Sequence, residues 1–225
     1  MAMGTFDKVI ERASQHHGGR EAVLAQARNA HGVKNLSKVP ADRLLSTMTR
    51  CVFNAGFNWK VIEAKWDGFE AAFEGFDPAK LAFFGDEMMG DLVSDERIVR
   101  NGQKIRATLE NARMVAEIEQ NEGGFGRFLA NWPADDQTGL MATLNKRGAR
   151  LGGATAQYFL RFCGWDAWIT SGDMCAALKR EGVLDKPAAT SKGDLAKVQA
   201  AVNRWHDESG LPRAAISRLL ALSTG

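Results

Sequence analysis

The sequence lacks several features that would place it in a well-defined class of protein. No apolar run approaches the roughly 20 residues that a membrane-spanning helix needs, and residues 1–12 lack the apolar stretch of a signal peptide. We therefore expect a cytoplasmic protein without a membrane partner. With 29 Lys and Arg against 27 Asp and Glu, the formal net charge is only +2, which excludes a protein that binds nucleic acid through bulk charge. Any DNA binding must come from a local site.

Cysteine is also scarce. Cys51, Cys163 and Cys175 are widely separated, form no CxxC pair and have no histidine at metal-ligand spacing. An odd number of scattered cysteines in a cytoplasmic chain favours reduced, buried thiols over disulfides. We predict neither a disulfide nor a zinc site.

The alternation of apolar and polar residues that marks a strand is nearly absent, whereas apolar residues recur at helical spacing. The clearest such patterns run over Leu44–Val52, Leu81–Val93 and Ile105–Ala116. Proline and paired glycines interrupt them, which predicts about ten helices of roughly 10 to 18 residues joined by short turns. The fold class is therefore all-α. Asp77 before Pro78 is the clearest helix start, and Asp86 and Asp194 resemble it.

Residues 146–156 combine glycines with basic side chains between two helical patterns. Glycines allow a tight turn, and the N–H groups at the start of the following helix can hold a phosphate. The basic residues there are Lys146, Arg147 and Arg150. The alternative is an ordinary turn between two helices.

A second stretch, residues 168–175, places an acid at the head of a helical run. Asp173 follows Ser171 and Gly172, so it could simply be a helix cap. Asp173 follows Thr155 by 18 positions, which allows one helix and a return loop that could bring this acid near the hairpin.

Four tracts in order resemble the helix-hairpin-helix DNA glycosylases, and within them the 3-methyladenine DNA glycosylase I family. Residues 54–59 (NAGFNW) resemble its Gln-Ala-Gly-Leu-Ser-Trp segment, and residues 73–80 resemble its Phe-Asp-Pro-x-Lys helix start. Residues 98–112 resemble its Ile-x-Arg-x-x-x-Lys-Ile…Asn-Ala tract, and residues 144–148 resemble its Leu-x-Lys-Arg-Gly hairpin entry. The resemblance covers roughly residues 44–180.

The chain also departs from this family. The acid that lies eight positions before the tract tryptophan is replaced by Cys51. The Cys and His ligands of the family's structural zinc are missing, including the C-terminal His-x-x-x-Cys, and its N-terminal aromatic segment is unrecognisable. The hairpin's first glycine corresponds to Arg150, and Met174-Cys175 replaces the usual Thr-His after the acid.

The resemblance implies a base-flipping enzyme. An electron-rich indole would stack on a cationic alkylated purine, and Trp59 is the expected face, although it could instead be a core residue. Asn54, which offers both a donor and an acceptor, could replace the missing acid. The predicted base pocket comprises Trp59, Asn54, Phe53 and Cys51.

The hairpin is expected to hold DNA phosphates through Lys146, Arg147, Gly148, Gly152, Gly153, Ala154 and Thr155. The superfamily places a catalytic acid after the hairpin, which makes Asp173 the catalytic candidate that would stabilise an oxocarbenium-like sugar. Members that also cut the strand carry a lysine where this chain has Ala154, so we expect no lyase activity. The family also implies a monovalent cation at the hairpin carbonyls.

The expected protein is a two-lobed helix-hairpin-helix DNA glycosylase, a single unit over residues 1–225. One lobe would span about residues 80–185, the other about residues 1–79 and 186–225, with the hairpin and Asp173 on the cleft between them. We expect a monomer that removes alkylated purines from damaged double-stranded DNA. The missing carboxylate leaves open a non-catalytic protein that binds damaged or distorted DNA. The small net charge leaves open an interaction protein that no longer binds DNA.

Overall fold

A computed structural model describes residues 5–28 and 35–225, and within them it contains α-helices and no β-strand. The all-α prediction is confirmed. Two short 3-10 turns, Leu36–Lys38 and Glu74–Phe76, complete the regular structure. The helices are α1 (Phe6–His16), α2 (Arg20–Arg28), α3 (Ala41–Asn54), α4 (Trp59–Ala64), α5 (Trp66–Ala72), α6 (Pro78–Leu81), α7 (Asp86–Ser94), α8 (Gly102–Asn121), α9 (Phe125–Asn131), α10 (Gln137–Arg147), α11 (Ala154–Cys163), α12 (Gly172–Arg180), α13 (Lys192–Ser209) and α14 (Arg213–Leu222).

The helices are more numerous and more varied in length than the sequence patterns predicted. They range from 4 residues in α6 to 20 in α8. The single apolar pattern over residues 81–93 is divided between α6 and α7, because Gly85 adopts an extended conformation (φ −94°, ψ −166°) and interrupts it. Short helices of this kind are stabilised by packing rather than by their own propensity.

The helix starts follow the expected capping chemistry with two corrections. Asp77 caps α6 as predicted, since its Oδ1 accepts hydrogen bonds from the N–H groups of Ala79 (2.9 Å) and Lys80 (3.3 Å). Asp86 and Asp194 are not cap residues. Asp86 lies inside the first turn of α7, and Asp194 is the fourth residue of a capping box that Ser191 begins.

The chain divides into two compact units whose boundaries differ from the predicted lobes. The first comprises residues 1–34, 133–140 and 160–225, and the second comprises residues 35–132 and 141–159. Residues 35–79 therefore group with the hairpin, contrary to the prediction, and residues 160–185 group with the terminal segments. Two of the four passages between the units lie within helices α10 and α11, where no break in composition marks them.

In the first unit, α14 is the central element. It packs against α1, α2, α12 and α13, and Ile216, Leu219 and Leu220 are fully buried on it. The ring of Phe6 lies 5.5 Å from that of Trp205, which is also fully buried.

In the second unit, α8 packs against α3 and α6, and an aromatic cluster fills the space beside α3. The rings of Trp66 and Phe69 stack at 5.0 Å, and Trp66 stacks on Phe76 at 5.6 Å. Trp66 is therefore a core residue. The stacked rings connect α5 to the 3-10 turn Glu74–Phe76, and the edge-to-face pair of Phe53 and Phe69, with centroids 4.6 Å apart, connects α5 to α3.

None of the helices in the described ranges combines the length and the hydropathy required to cross a bilayer.

Candidate functional site

A cavity of about 260 Å³ lies in the second unit, where the end of α3, the loop after it and the starts of α4 and α11 meet. This volume is slightly below the roughly 300–1,000 Å³ of pockets for drug-sized ligands. The lining residues are Cys51, Asn54, Ala55, Gly56, Trp59, Ala154, Thr155 and Tyr158. None of these eight carries a charged side chain.

Cys51 and Asn54 form the buried wall of this pocket. They lie three positions apart on α3, so their side chains share one helix face. Both are buried, at 5% and 7% exposure. All three cysteines are reduced and buried, as predicted. The pocket therefore presents a thiol and an amide where the resemblance leads one to look for a carboxylate.

The side-chain oxygen of Asn54 has an unused hydrogen-bonding capacity. Oδ1 is buried, and no donor in the described part of the chain lies within hydrogen-bonding distance of it. A buried acceptor without a partner costs about 1–3 kcal/mol, so most buried polar groups in native proteins are hydrogen-bonded to protein or to ordered water. An N–H group of a ligand in the pocket would satisfy it.

Trp59 and Tyr158 form the aromatic side of the pocket. Their rings meet edge to face, with centroids 5.4 Å apart and planes at 79°. Trp59 is the first residue of α4, which Asn58 caps by accepting a hydrogen bond from Lys60 N at 3.0 Å. With 45% of its surface exposed, Trp59 is not a core tryptophan.

Tyr158 is a pocket residue that sequence reasoning missed. It is the single tyrosine of the chain and lies beyond the tracts that carry the resemblance. Its sequence spacing could have identified it, because Tyr158 follows Thr155 by three positions and Ala154 by four on α11. These separations place all three side chains on one helix face.

Phe53 was predicted in the pocket, and the structure places it elsewhere. Its side chain is fully buried and packs edge-on against Phe69, with ring centroids 4.6 Å apart. Consecutive residues of a helix point about 100° apart. Because Cys51 and Asn54 face the pocket, Phe53 between them faces the core.

Lys104 fixes the loop that follows α3. Its Nζ donates hydrogen bonds to the carbonyl oxygens of Phe53 (2.9 Å) and Ala55 (2.6 Å), and lies 4.3 Å from the centre of the exposed Phe57 ring. These carbonyls lie at the C-terminal end of α3, where the helix has no partners for them. Burial lowers the pKa of Lys104, and the charge of Arg150 lowers it further. Lys104 belongs to the predicted Lys-Ile tract, but its role became apparent only from the structure.

The predicted hairpin connects α10 and α11 over residues 148–153. The side chain of Asn111 on α8 holds the hairpin through two hydrogen bonds to the backbone of Ala149. Its Nδ2 donates to Ala149 O (3.1 Å), and its Oδ1 accepts from Ala149 N (2.7 Å). Arg150, at the position of the family's first glycine, has a left-handed φ of +56°, and Gly153 has the same value. The turn keeps the expected backbone conformation although an arginine occupies it.

Close packing at Gly148 leads to a stability prediction. A Cβ atom there would lie 2.6 Å from Asn111 Oδ1 and 2.8 Å from Leu151 Cδ1. We expect Gly148→Ala to lower the free energy of unfolding by about 1–3 kcal/mol, measured by urea titration. Gly90→Ala is the control, because a Cβ at this helical position meets nothing within 4 Å, and it should raise stability by about 0.5–1 kcal/mol. Equal effects of the two changes would contradict the packing argument.

The start of α11 presents the backbone expected of an anion site. Gly152, Gly153 and Ala154 are exposed, and Ala154 is the first residue of this 10-residue helix. N–H groups at a helix start attract phosphate through hydrogen bonds and the helix dipole. Ala154 and Thr155 also line the pocket. One turn of helix therefore serves both the base pocket and the predicted phosphate site.

The two basic residues at the end of α10 differ in their surroundings. Lys146 is exposed. The guanidinium of Arg147 lies 2.6 Å from Glu122 and 3.6 Å from Glu117, and 5.7 Å from the Phe128 ring. These ion pairs link the end of α10 to α8 and the residue after it. Because two carboxylates compensate the charge of Arg147, this geometry does not support its predicted phosphate contact.

Asp173 belongs to the first unit and lies in the first turn of α12. The cap of α12 is Ser171, whose Oγ accepts a hydrogen bond from Met174 N at 3.2 Å. Asp173 is therefore not the cap. Its side chain is exposed.

The monovalent cation that the family implies at the hairpin carbonyls stays a prediction. The Ala149 carbonyl accepts one hydrogen bond, from Asn111, and the turn carries the Arg150 guanidinium. Within the described ranges, no three His, Cys, Asp or Glu side chains are grouped so that they could hold a metal ion. The absence of zinc stays a prediction.

Fold and site together define the class of the protein: a helix-hairpin-helix DNA glycosylase fold with a pocket of base size beside the hairpin. The model of the family described as methyladenine glycosylase matches residues 36–149, half of the chain. The chain belongs to this family. Asp173 and the hairpin from residue 150 onward lie beyond the matched range.

Individual relatives support the same assignment. The chain is 32% identical over 129 residues to DNA-3-methyladenine glycosylase 1 of Escherichia coli (strain K12), with coverage of 69% of that protein and 49% of this chain. A crystal structure of 3-methyladenine DNA glycosylase I superposes with a TM-score of 0.50 at 25% identity, covering 57% of this chain and 81% of that one. A structure of the enzyme from Staphylococcus aureus gives a TM-score of 0.52 at 23% identity, covering 69% and 92%.

Proposed function

We propose that the protein is a monofunctional DNA glycosylase that removes N-alkylated purines such as 3-methyladenine from double-stranded DNA. Family membership supports the activity, and the E. coli relative bears the name of that activity. The observation that carries the proposal is the pocket itself. It combines an exposed tryptophan face with a buried, unsatisfied acceptor directly beside the predicted phosphate site.

The pocket suits an alkylated purine in both shape and chemistry. A flipped base loses its stacking partners in DNA, and the Trp59 ring replaces one of them. Since 3-methyladenine in DNA carries a positive charge, an indole face adds a cation–π attraction of about 0.5–2 kcal/mol. The N–H groups of this base all belong to its exocyclic amino group. This amino group is therefore the one donor of the base from which Asn54 Oδ1 can accept a hydrogen bond.

The reaction breaks the bond between C1′ of the sugar and N9 of the base. The electron pair of this bond moves to N9, which neutralises the cationic purine, so the leaving group needs no proton. Water adds to C1′ of the oxocarbenium-like sugar and loses a proton. We propose that the Asp173 carboxylate stabilises the developing positive charge and accepts this proton.

The hairpin would hold the DNA without cutting it. We propose that the N–H groups of Gly152, Gly153 and Ala154 bind a phosphate, with help from Lys146 and Thr155. The lysine that would form a Schiff base with the sugar is replaced by Ala154. The product would therefore be an abasic site in an unbroken strand.

A second candidate function is binding of alkylated DNA without catalysis. The observation that favours it is the uncharged wall of the pocket, where Cys51 stands in place of a carboxylate. Such a protein would recognise the lesion and leave the glycosidic bond intact.

Release of free base from methylated duplex DNA distinguishes these two functions. We expect the purified protein to release 3-methyladenine, detected by chromatography, and to leave abasic sites that become strand breaks only after alkali treatment. Strand breaks before alkali would contradict the monofunctional mechanism. Tight, salt-dependent binding without release would favour the second candidate.

A further inference from the structure

A wide groove lies beside the hairpin in the second unit and is separate from the base pocket. Its volume is about 750 Å³, and it shares no lining residue with the pocket. The polar side chains that line it are Arg100, Asn101, Gln103, Arg106, Glu110 and Arg150. Three guanidinium groups thus face one acid, and we call this surface the arginine groove.

The positive charge of the groove is poorly compensated. Arg106 is exposed, and no carboxylate in the described part of the chain lies within ion-pairing distance of it. Arg100 lies 3.7 Å from Glu96, but both side chains are more than half exposed, and exposed pairs contribute little. Arg147, the last residue of α10 before the hairpin, has two carboxylate partners. The arginine groove is therefore a local cationic surface on a chain of nearly balanced charge.

Arg150 connects the arginine groove to the hairpin. Its backbone forms part of the turn, and its Nη2 donates a hydrogen bond to Gln103 Oε1 on α8. A neutral amide orients the guanidinium without neutralising it. The charge of Arg150 also lowers the pKa of the neighbouring Lys104, which agrees with a positive potential here. In addition, the 20-residue helix α8 begins in the groove with its positive dipole end.

We propose that the arginine groove is a second DNA-backbone site, in which Arg106 and Arg150 bind phosphates next to the one held by the hairpin. Planar guanidinium groups match phosphate oxygens well. A groove nearly three times larger than the base pocket suits a sugar–phosphate strand rather than a base. The proposal rests on the proposed function, because it assumes that DNA is the partner.

The test is the salt dependence of binding to undamaged duplex DNA, measured by fluorescence anisotropy from 50 to 200 mM salt. Each phosphate contact contributes about 0.9 to the slope of log K against log salt concentration. We expect Arg106→Gln and Arg150→Gln each to lower this slope by about 0.9 and to weaken binding about three- to tenfold at the low-salt end. Arg106→Lys, which keeps the charge, should retain the wild-type slope.

Arg127→Gln is the matched control. Arg127 is another exposed arginine of the second unit without an ion-pair partner in the described ranges, and it does not line the groove. Its slope should equal that of the wild type. Unchanged slopes for Arg106→Gln and Arg150→Gln, or an equal fall for Arg127→Gln, would overturn the proposal.

Because the binding test uses undamaged DNA, its result does not depend on base release. The arginine groove and the proposed enzyme activity can therefore fail independently. Slopes that fall as expected in a protein that releases no base would support the groove and refute the enzyme. Unchanged slopes in a protein that releases 3-methyladenine would refute the groove alone.

Discussion

Replacing Asn54 by leucine is expected to remove the preference of the pocket for 3-methyladenine over 3-methylpurine, which lacks the amino group. For the wild type we expect a preference of about ten- to a hundredfold in Kd. The reason is that Oδ1 is buried without a donor, so an incoming N–H group forms a hydrogen bond without displacing a protein partner. Satisfying a buried acceptor is worth about 1–3 kcal/mol, and 1.4 kcal/mol corresponds to tenfold in affinity.

The measurement is calorimetric titration of the two free bases into each variant, which requires neither DNA nor catalysis. Asn54→Asp keeps acceptor oxygens and should keep the preference. Cys51→Ala is the matched control, because it also alters the buried wall of the pocket but removes no amide, so the ratio of the two Kd values should stay near that of the wild type. A leucine variant that still favours 3-methyladenine tenfold would show that another group recognises the amino group.

Although Asn54→Leu should weaken recognition of 3-methyladenine, it should not lower the stability of the fold. Leucine has the same branched shape and the same number of heavy atoms as asparagine, and replacing an unsatisfied buried polar group by an apolar one removes its desolvation cost. We therefore expect Asn54→Leu to fold at least as stably as the wild type. Loss of recognition together with retained stability is the pattern of a residue kept for function.

The sequence predicted this pocket in part, and the reasons for success and failure lie in helix geometry. Trp59 and Asn54 were identified by a local motif, and the structure brings them together because that motif forms the end of one helix and the start of the next. Phe53 was misassigned because a motif gives adjacency along the chain, whereas a helix turns successive side chains about 100° apart. Tyr158 comes from a distant helix, and a local motif contains no information about it.

The division into units was beyond sequence reasoning for a different reason. Linkers are recognised by breaks in composition, but here two of the four passages between the units lie within α10 and α11. A continuous helical pattern gives no sign of such a passage. The hairpin, by contrast, was predictable, because its glycines and flanking basic residues are consecutive. Its attachment through Asn111, 38 residues away from Ala149, became visible only in the structure.

Replacing Asp173 by asparagine is expected to slow release of 3-methyladenine about a hundredfold or more, since general acid–base and electrostatic contributions of one group are typically 10²–10⁴-fold. Ser171 caps α12, so Asp173 is not needed to start the helix. Its carboxylate is exposed in the first turn of α12. Asparagine keeps the shape but can neither carry the negative charge nor accept the proton.

Asp86→Asn is the matched control for this prediction. Asp86 also lies exposed in the first turn of a helix, without capping it, so the change removes the same favourable charge–dipole interaction of about 0.3–1 kcal/mol. Both variants should lose similar, small amounts of stability, while only Asp173→Asn loses base release in single-turnover experiments with saturating enzyme. Binding of methylated DNA by Asp173→Asn should be retained or tightened, because a negative charge is removed from a protein that binds phosphates. If Asp173→Asn released 3-methyladenine at the wild-type rate, the Asp173 carboxylate would not be the catalytic group. Either another group would then catalyse the reaction, or the cationic base would leave without help from a carboxylate.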